Sequence, residues 1–292
     1  MVPDGSPART WAARARRIVS GGRRSRRDAR AAAVSFEPRE SVTSSGDRDV
    51  IYGIRSSVAR FDGAVYFVPT YAAHRPAAAS ILAQQYFSPE LHHLVATVMS
   101  ARGGSMVHAG TFFGDMLPSF SRKTPGRVYA FEPVTENYLL ANAVVGANHL
   151  DNVMLLHAGL GAHPGTARVR THSDDGRHAG GMSRIVRDPA KEGTDAQTVP
   201  VLSIDQLRLH DLSLIQLDVE GFERAVLRGA RKTIRRLQPV IVLEDRRGTC
   251  GAYLDRFGYV DAGRLGDDQL YLPAGAVAEF GDLAERPAAA HP

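Results

Sequence analysis

The chain has 292 residues, 43% of them hydrophobic and 23% charged, which suits one ordinary soluble domain with a real core plus appendages. A single cysteine, Cys250, excludes an internal disulfide framework and a cysteine-built zinc site, and makes a reducing cytoplasm the expected setting. No run reaches the ~18 apolar residues of a membrane span. The net charge of +5 belongs to the first 30 residues, whose nine arginines and two aspartates leave the other 262 at −2, so the body is not composed as a nucleic-acid groove.

Residues 1–48 read as a disordered basic arm, rich in Arg, Ala, Ser and Gly. A solvated tail, a tether to an anionic membrane surface or to nucleic acid, and a targeting peptide without a secretory apolar core are the open readings. Residues 49–103 read as a hairpin and helices that pack on or cap the core. Val58–Phe61 and Ala64–Val68 flank an Asp62-Gly63 turn. Pro76–Gln85 reads as a short helix. Ser88-Pro89-Glu90 reads as a helix start with Ser88 as cap, followed by Leu91, Leu94, Val95, Val98 and Met99 at helical spacing. The adjacent His92-His93 pair is not metal-spaced and is expected at the surface.

Residues 104–280 form the expected main domain. Its opening, Met106–Pro133, reads strand, glycine turn, helix, strand, acid, the pattern of a nucleotide-binding crossover. Gly110 and Gly114 bracket the turn. A glycine there lets backbone approach a ligand with no Cβ between. Glu132 closes the second strand, where a carboxylate can accept two hydrogen bonds from a ribose diol. The spacing is GxxxG, not the GxGxxG of dinucleotide binders, and no GxxxxGK[ST] phosphate loop exists. A ligand with a ribose and no phosphate fits better, and S-adenosylmethionine is the obvious candidate.

A helix over Thr135–Asn148 and a strand Asn152–Leu156 follow, the strand ending at His157-Ala158-Gly159. The long polar stretch Thr171–Gln197, with His172, Asp174, Asp175 and His178, reads either as a lid or as disorder. Strands Ser213–Leu217 and Pro239–Leu243 end in Asp218-Val219-Glu220-Gly221 and Glu244. A helix is expected over Phe222–Leu237, then a hairpin within Tyr259–Leu272 and a tail at 281–292. In an open parallel sheet these strand ends share one rim, and ligands bind there. Acids at such positions also cap helices.

Three segments resemble the FkbM-type S-adenosylmethionine-dependent methyltransferases, over about Met106–Leu272. Val107–Asp115 (VHAGTFFGD) is similar to that family's VDxGANxGD turn. Tyr129–Pro133 (YAFEP) is similar to its second-strand motif. Ile215–Ala230 (IQLDVEGFERAVLRGA) is similar to its KxDVEGxExxVLxGA segment. The resemblance implies a doubly wound, mostly parallel, seven-stranded Rossmann-like methyltransferase sheet with an antiparallel C-terminal hairpin. It implies O-methylation of a sugar, glycan or secondary metabolite; no metal ligands are expected, and the near-neutral body is read as having no nucleic-acid partner. By position, Gly110, Thr111, Phe112 and Gly114 would lie against the methionine part of the cofactor. Glu132, with Pro133 after it, would hold the ribose, His157 and Ala158 would flank the adenine, and Asp218 would sit near the amino group or the transferring methyl. Asp218, Glu220, Glu244 and His178 are the candidate bases. His108 stands where the family usually has an acid and Gln216 where it usually has lysine. His108 could contact the cofactor or act as a base. It also opens the alternative of a non-catalytic partner subunit with a degenerate cofactor site.

Overall fold

The structure, a computed structural model, describes residues 48–171, 184–186, 196–245 and 248–284. The arm at 1–47, most of the polar stretch including His178, and the tail beyond Ala284 lie outside the described residues. Three strands come first: β1 (Arg48–Ile51), β2 (Ile54–Phe61) and β3 (Ala64–Pro69), paired antiparallel in that order. The β2–β3 turn is the Asp62-Gly63 dipeptide, both residues left-handed, as a tight hairpin turn demands. Two helices follow, α1 (Pro76–Leu82) and α2 (Pro89–Arg102).

Ser88 differs from its expected role. Its own backbone is left-handed and its hydroxyl makes no cap bond; its carbonyl instead accepts the Leu91 N–H at 3.0 Å. Pro89, with no N–H to satisfy, fits the first helical position. His92 also differs, being buried at 4% exposure while His93 is exposed. It falls on the apolar face with Leu91 and Val95, tilts against Phe120 and bonds Ser119 Oγ at 2.8 Å through Nδ1.

The central crossovers run β4 (Ser105–Ala109), α3 (Leu117–Lys123), β5 (Val128–Phe131), α4 (Thr135–Ala147) and β6 (Val153–Leu156). Three strands, β7 (Gly159–Leu160), β8 (Gly165–Arg170) and β9 (Arg184–Val186), join β10 (Ala196–Leu202) in a second sheet of order β7-β10-β8-β9. The main sheet resumes with β11 (Leu212–Leu217), the helices α5 (Glu223–Gly229) and α6 (Arg231–Leu237), and β12 (Val240–Leu243). The single helix expected over Phe222–Leu237 is thus two, broken at Ala230. A short α7 (Gly251–Leu254) precedes the hairpin β13 (Tyr259–Leu265) and β14 (Asp268–Pro273), and α8 (Val277–Phe280) ends the described chain.

The main sheet has the order β13-β14-β12-β11-β4-β5-β6. Five strands are parallel and β14 joins antiparallel to β12. This is a doubly wound α/β sheet, and its order reverses between β4 and β11. Alternation along each strand sorts side chains to two faces. Met106, Val128, Leu214 and Val242 pack with α2, α3 and Phe280. Val107, Ala109, Ile215 and Ile241 pack with Val226, Leu227 and Ile234. The N-terminal hairpin forms its own cluster with α1, Phe112, Phe113, Leu140 and Val144. Asn148 pins it, accepting the Val65 N–H at 2.8 Å and donating to the Val65 carbonyl at 2.7 Å. No helix among the described residues is long and apolar enough to cross a membrane.

One close approach away from the strand rim tests this packing. A Cβ on Gly229, at the end of α5, would lie 2.0 Å from the Gly161 carbonyl oxygen. Backbone cannot yield cheaply there. Gly229→Ala is expected to destabilise the fold by on the order of 2 kcal/mol in denaturant unfolding.

Candidate active site

The site begins where β4 and β11 separate. The Asp218 N–H donates to the Ala109 carbonyl at 2.9 Å, so the two strands stay zipped to their last residues. Gly110 then turns left-handed at φ +93°, and a Cβ on it would lie 1.9 Å from the Asp218 carbonyl oxygen. No other residue fits both demands. Phe112 is also left-handed, at φ +51°, which turns its N–H onto Glu132 Oε2 at 2.8 Å.

Glu132 is buried at the end of β5. Its other oxygen accepts the Val134 N–H at 2.9 Å and an Asn137 amide N–H at 3.4 Å. Burial raises its carboxyl to about 7, with those three donors pulling the other way. The turn after β11 is closed in a similar way. Glu220 and Gly221 are left-handed, and Glu223 Oε1 accepts the N–H groups of Val219 and Gly221 at 3.2 and 3.0 Å. Glu223 is therefore the brace that aims Asp218 and Glu220.

Two clefts open from this rim and share Gly110, Phe112, Asp218 and Glu220. The narrower holds about 50 Å³ and is lined by Glu132, Pro133, Val134, Asn137, Ala158 and Leu160 among others. The wider holds about 500 Å³ and runs under α2 and the β13–β14 turn, past His108, Asp115 and Gln216 to Glu90, Glu244 and Asp268. Asp218 reaches solvent through the cleft mouth yet is packed about by protein. That loss of water, then the charges of Glu220, Asp268, Glu244 and Glu223, holds its carboxyl well above the usual range.

Of the residues read from the sequence, Gly110, Phe112, Glu132, Pro133, Ala158, Asp218 and Glu220 meet along the narrow cleft, and His108 lies in the wide one. Thr111, Gly114 and His157 line neither. Thr111 is buried with its hydroxyl on the Phe131 carbonyl at 3.2 Å, and Gly114 packs against Ala141 of α4. The His157 ring stacks on Tyr138, centroids 4.6 Å apart, and bonds Thr135 Oγ1 at 3.3 Å. Asp115, Asn137, Glu90 and Asp268 were not legible as site residues. Asp115 closes the VHAGTFFGD segment, two residues before α3 starts at Leu117.

His108 and Gln216, the two departures from the family pattern, are one feature. They are direct partners in the β4–β11 register, and His108 Nδ1 bonds Gln216 Oε1. Burial drives the imidazole down to about 4, so it is neutral at pH 7. Where the family pattern carries an acid facing a lysine, this chain carries a neutral donor facing a neutral acceptor, and the net charge of the pair stays zero.

The strand order and the clefted switch point define a doubly wound α/β protein with a cleft at the carboxyl ends of its strands. The profile of the methyltransferase FkbM domain matches residues 108–256, half of the chain, and the chain belongs to the FkbM methyltransferase family. Among solved structures it is similar to an FkbM methyltransferase from Methylobacillus flagellatus KT, at 19% identity and a TM-score of 0.43, over 70% of this chain and 55% of that one. It is also similar to a methyltransferase from Geobacter sulfurreducens, at 15% identity and a TM-score of 0.39, over 62% and 77% of the two chains. A SAM-dependent methyltransferase from Aquifex aeolicus matches at 15% identity and a TM-score of 0.36, over 64% and 89%. This chain thus spans about half the length of the first of these. Comparison with curated proteins gives no match.

Two expectations follow from the site. His108→Asp and Gln216→Lys should each destabilise alone by leaving a buried charge without a partner. Together they should recover about 1–3 kcal/mol as a coupling energy in a double-mutant cycle. The second concerns pH. Asp115 is buried and its carboxyl is raised to about 7. The folded state therefore binds its proton more tightly than the unfolded chain, and its contribution is present at low pH and lost as pH rises through about 7. His92 and His108, held down to about 3 and about 4, act oppositely, costing stability as pH falls below 6.5. Above pH 6.5 only the carboxyl side of this balance remains. Asp115→Asn should raise stability at pH 8 by on the order of 2 kcal/mol relative to its effect at pH 5, read from urea midpoints at both values.

Proposed function

We propose that this protein is an S-adenosylmethionine-dependent O-methyltransferase acting on a hydroxyl of a sugar, glycan or secondary metabolite. The observation that carries the reading is the buried Glu132 carboxylate, braced by two backbone N–H groups in the cleft beside the glycine turn. A carboxylate so fixed keeps lone pairs for a vicinal diol, and among the described residues no basic side chain lines that cleft for a phosphate. Family membership and the switch-point position support the same cofactor.

The residues fit that group. Glu132 would hold the ribose hydroxyls, with Pro133, Val134, Ala158 and Leu160 as the apolar bed for the base. Gly110 and Phe112 would border the methionine portion, and Asp115 and Asp218 would face its cationic end. When bound, the cofactor supplies an electrophilic methyl group on a positively charged sulfur.

The chain's own work is positioning and proton removal. Positioning rests on rigid strand ends rather than loops, because each turn is tied back to the sheet by hydrogen bonds. Proton removal from the acceptor hydroxyl falls to Asp218, with Glu220 beside it. A carboxyl held above its usual range is a stronger base once ionised, and a nearby cation favours that ionised form. His178, the other candidate base, lies outside the described residues.

The opposing reading, a non-catalytic subunit, was motivated by His108. The pairing of His108 with Gln216 strands no charge under the glycine turn, while a neutral imidazole there attracts a methionine ammonium less than an acid would.

Calorimetric titration with S-adenosylmethionine tests the reading directly, and an absence of heat at saturating ligand would overturn it. Glu132→Ala is expected to weaken affinity at least tenfold, about 1.4 kcal/mol or more. Asp218→Asn is expected to lower the methyl-transfer rate at saturating S-adenosylmethionine by about 10²-fold or more, measured as a gain of one methyl in product mass. The wild-type rate should rise with pH through an ionisation above the ordinary carboxylate range, and that limb should vanish in Asp218→Asn.

A further inference from the structure

We infer that Phe112 is a positioning residue for cofactor binding: its ring, anchored against the N-terminal hairpin, holds its own backbone left-handed and so keeps its N–H on Glu132. This deepens the methyl-transfer reading and rests on it for the ribose contact. Phe112 has φ +51° in the turn between β4 and α3. Glycine enters that region freely and asparagine tolerates it, but a bulky side chain there is a genuine outlier. The pattern this turn resembles, VDxGANxGD, has asparagine at the matching position. Asparagine adopts the conformation unaided. Phenylalanine does not, so the surrounding structure must hold it there.

The ring supplies that hold. It is 7% exposed and belongs to the apolar cluster shared by the hairpin, α1 and α4, with Tyr66, Phe67 and Ile81 among its members. Phe113 meets it edge-on, centroids 4.8 Å apart. The hairpin and α1 all precede residue 108, where the family match begins. A segment outside the matched domain thus sets the conformation of a turn inside it. In that conformation the Phe112 N–H donates to Glu132 Oε2 at 2.8 Å, and it is one of three donors that favour the ionised carboxylate. The same segment also reaches the other carboxylate oxygen. Tyr71, just after β3, has its hydroxyl 3.5 Å from Asn137 Oδ1, and Asn137 donates to Glu132 Oε1. Without the anchor, a residue other than glycine or asparagine relaxes to negative φ. The N–H then turns away, and Glu132 loses a bond that fixes it for a diol.

The test uses the full chain and two matched probes, S-adenosylhomocysteine and its 2′,3′-dideoxy analogue. The ratio of their affinities reports the diol contact. A change in packing, or in what the ring itself touches, moves both affinities together and leaves the ratio alone. Phe112→Ala and Phe112→Val remove the ring but keep the cost of a positive φ, whereas Phe112→Gly removes both. Calorimetry on the wild-type protein is expected to favour the diol probe at least about tenfold. The Ala and Val variants should lose most of that preference, while Gly keeps it to within about threefold. Gly should also unfold at a denaturant concentration no lower than Ala, despite its smaller volume. A preference that falls in order of side-chain volume, or a Gly variant less stable than Ala, would overturn the inference. Wild-type preference that persists in Ala and Val would remove the role of Phe112 and leave the ribose reading of Glu132 intact. Equal binding of the two probes by the wild-type protein would remove that reading and the inference with it.

Discussion

The structure depends on the contact between two strand ends, Ala109-Gly110 of β4 and Asp218 of β11. Their backbones are joined by a 2.9 Å hydrogen bond and come so near that a Cβ on Gly110 would overlap the Asp218 carbonyl. Because the sheet order reverses at this pair, the chains leaving them must diverge to opposite faces. The gap between the diverging turns is the cleft. Every later feature inherits its position from this closure: the left-handed Phe112 that reaches Glu132, the Glu220-Gly221 turn that Glu223 braces, and the joint border of the two clefts at Gly110 and Asp218.

Directly beneath lies the His108–Gln216 pair, and it sets the electrostatics of the site. A charged pair at that depth would require mutual compensation at short range. A neutral pair requires none, so the field in the cleft is set by carboxyls at the rim and in the turn. Asp115, Glu132, Asp218 and Asp268 are all raised, each chiefly by loss of water. Groups in this state hold protons until a cation arrives. A cationic ligand thus meets carboxyls that ionise in response to it, which couples ligand charge to the protonation of the site.

The sequence made the central sheet legible for a physical reason. Strands buried on both faces read as apolar runs, and the residues ending them are polar because they stop at the rim. Gly110, Glu132 and Asp218 were readable for that reason, and so was the Asp62-Gly63 hairpin turn. The pairing of the second sheet, β7-β10-β8-β9, was not. Its strands are short and half exposed, and pairing between segments some thirty residues apart leaves no local pattern. His92 was misplaced because a histidine on an apolar helix face looks like a surface residue until Ser119 and Phe120 are known to meet it. His108 and Gln216 were visible as two departures, but only the strand register makes them one exchange.

The two halves of the cleft differ in legibility for a reason that bears on what they do. The narrow half is built by backbone: glycine turns, N–H groups and one acid at a strand end, all bound by the geometry of the sheet. The wide half is built by side chains from α1, α2, the β4 turn, β11, the residue after β12, and the β13–β14 turn. Nothing in the sheet requires acids at Glu90 or Asp268. The first turn of a helix and the residue that opens β14 after the hairpin turn accept almost any polar residue. Acids at these two positions are therefore fixed by something other than the geometry of the sheet.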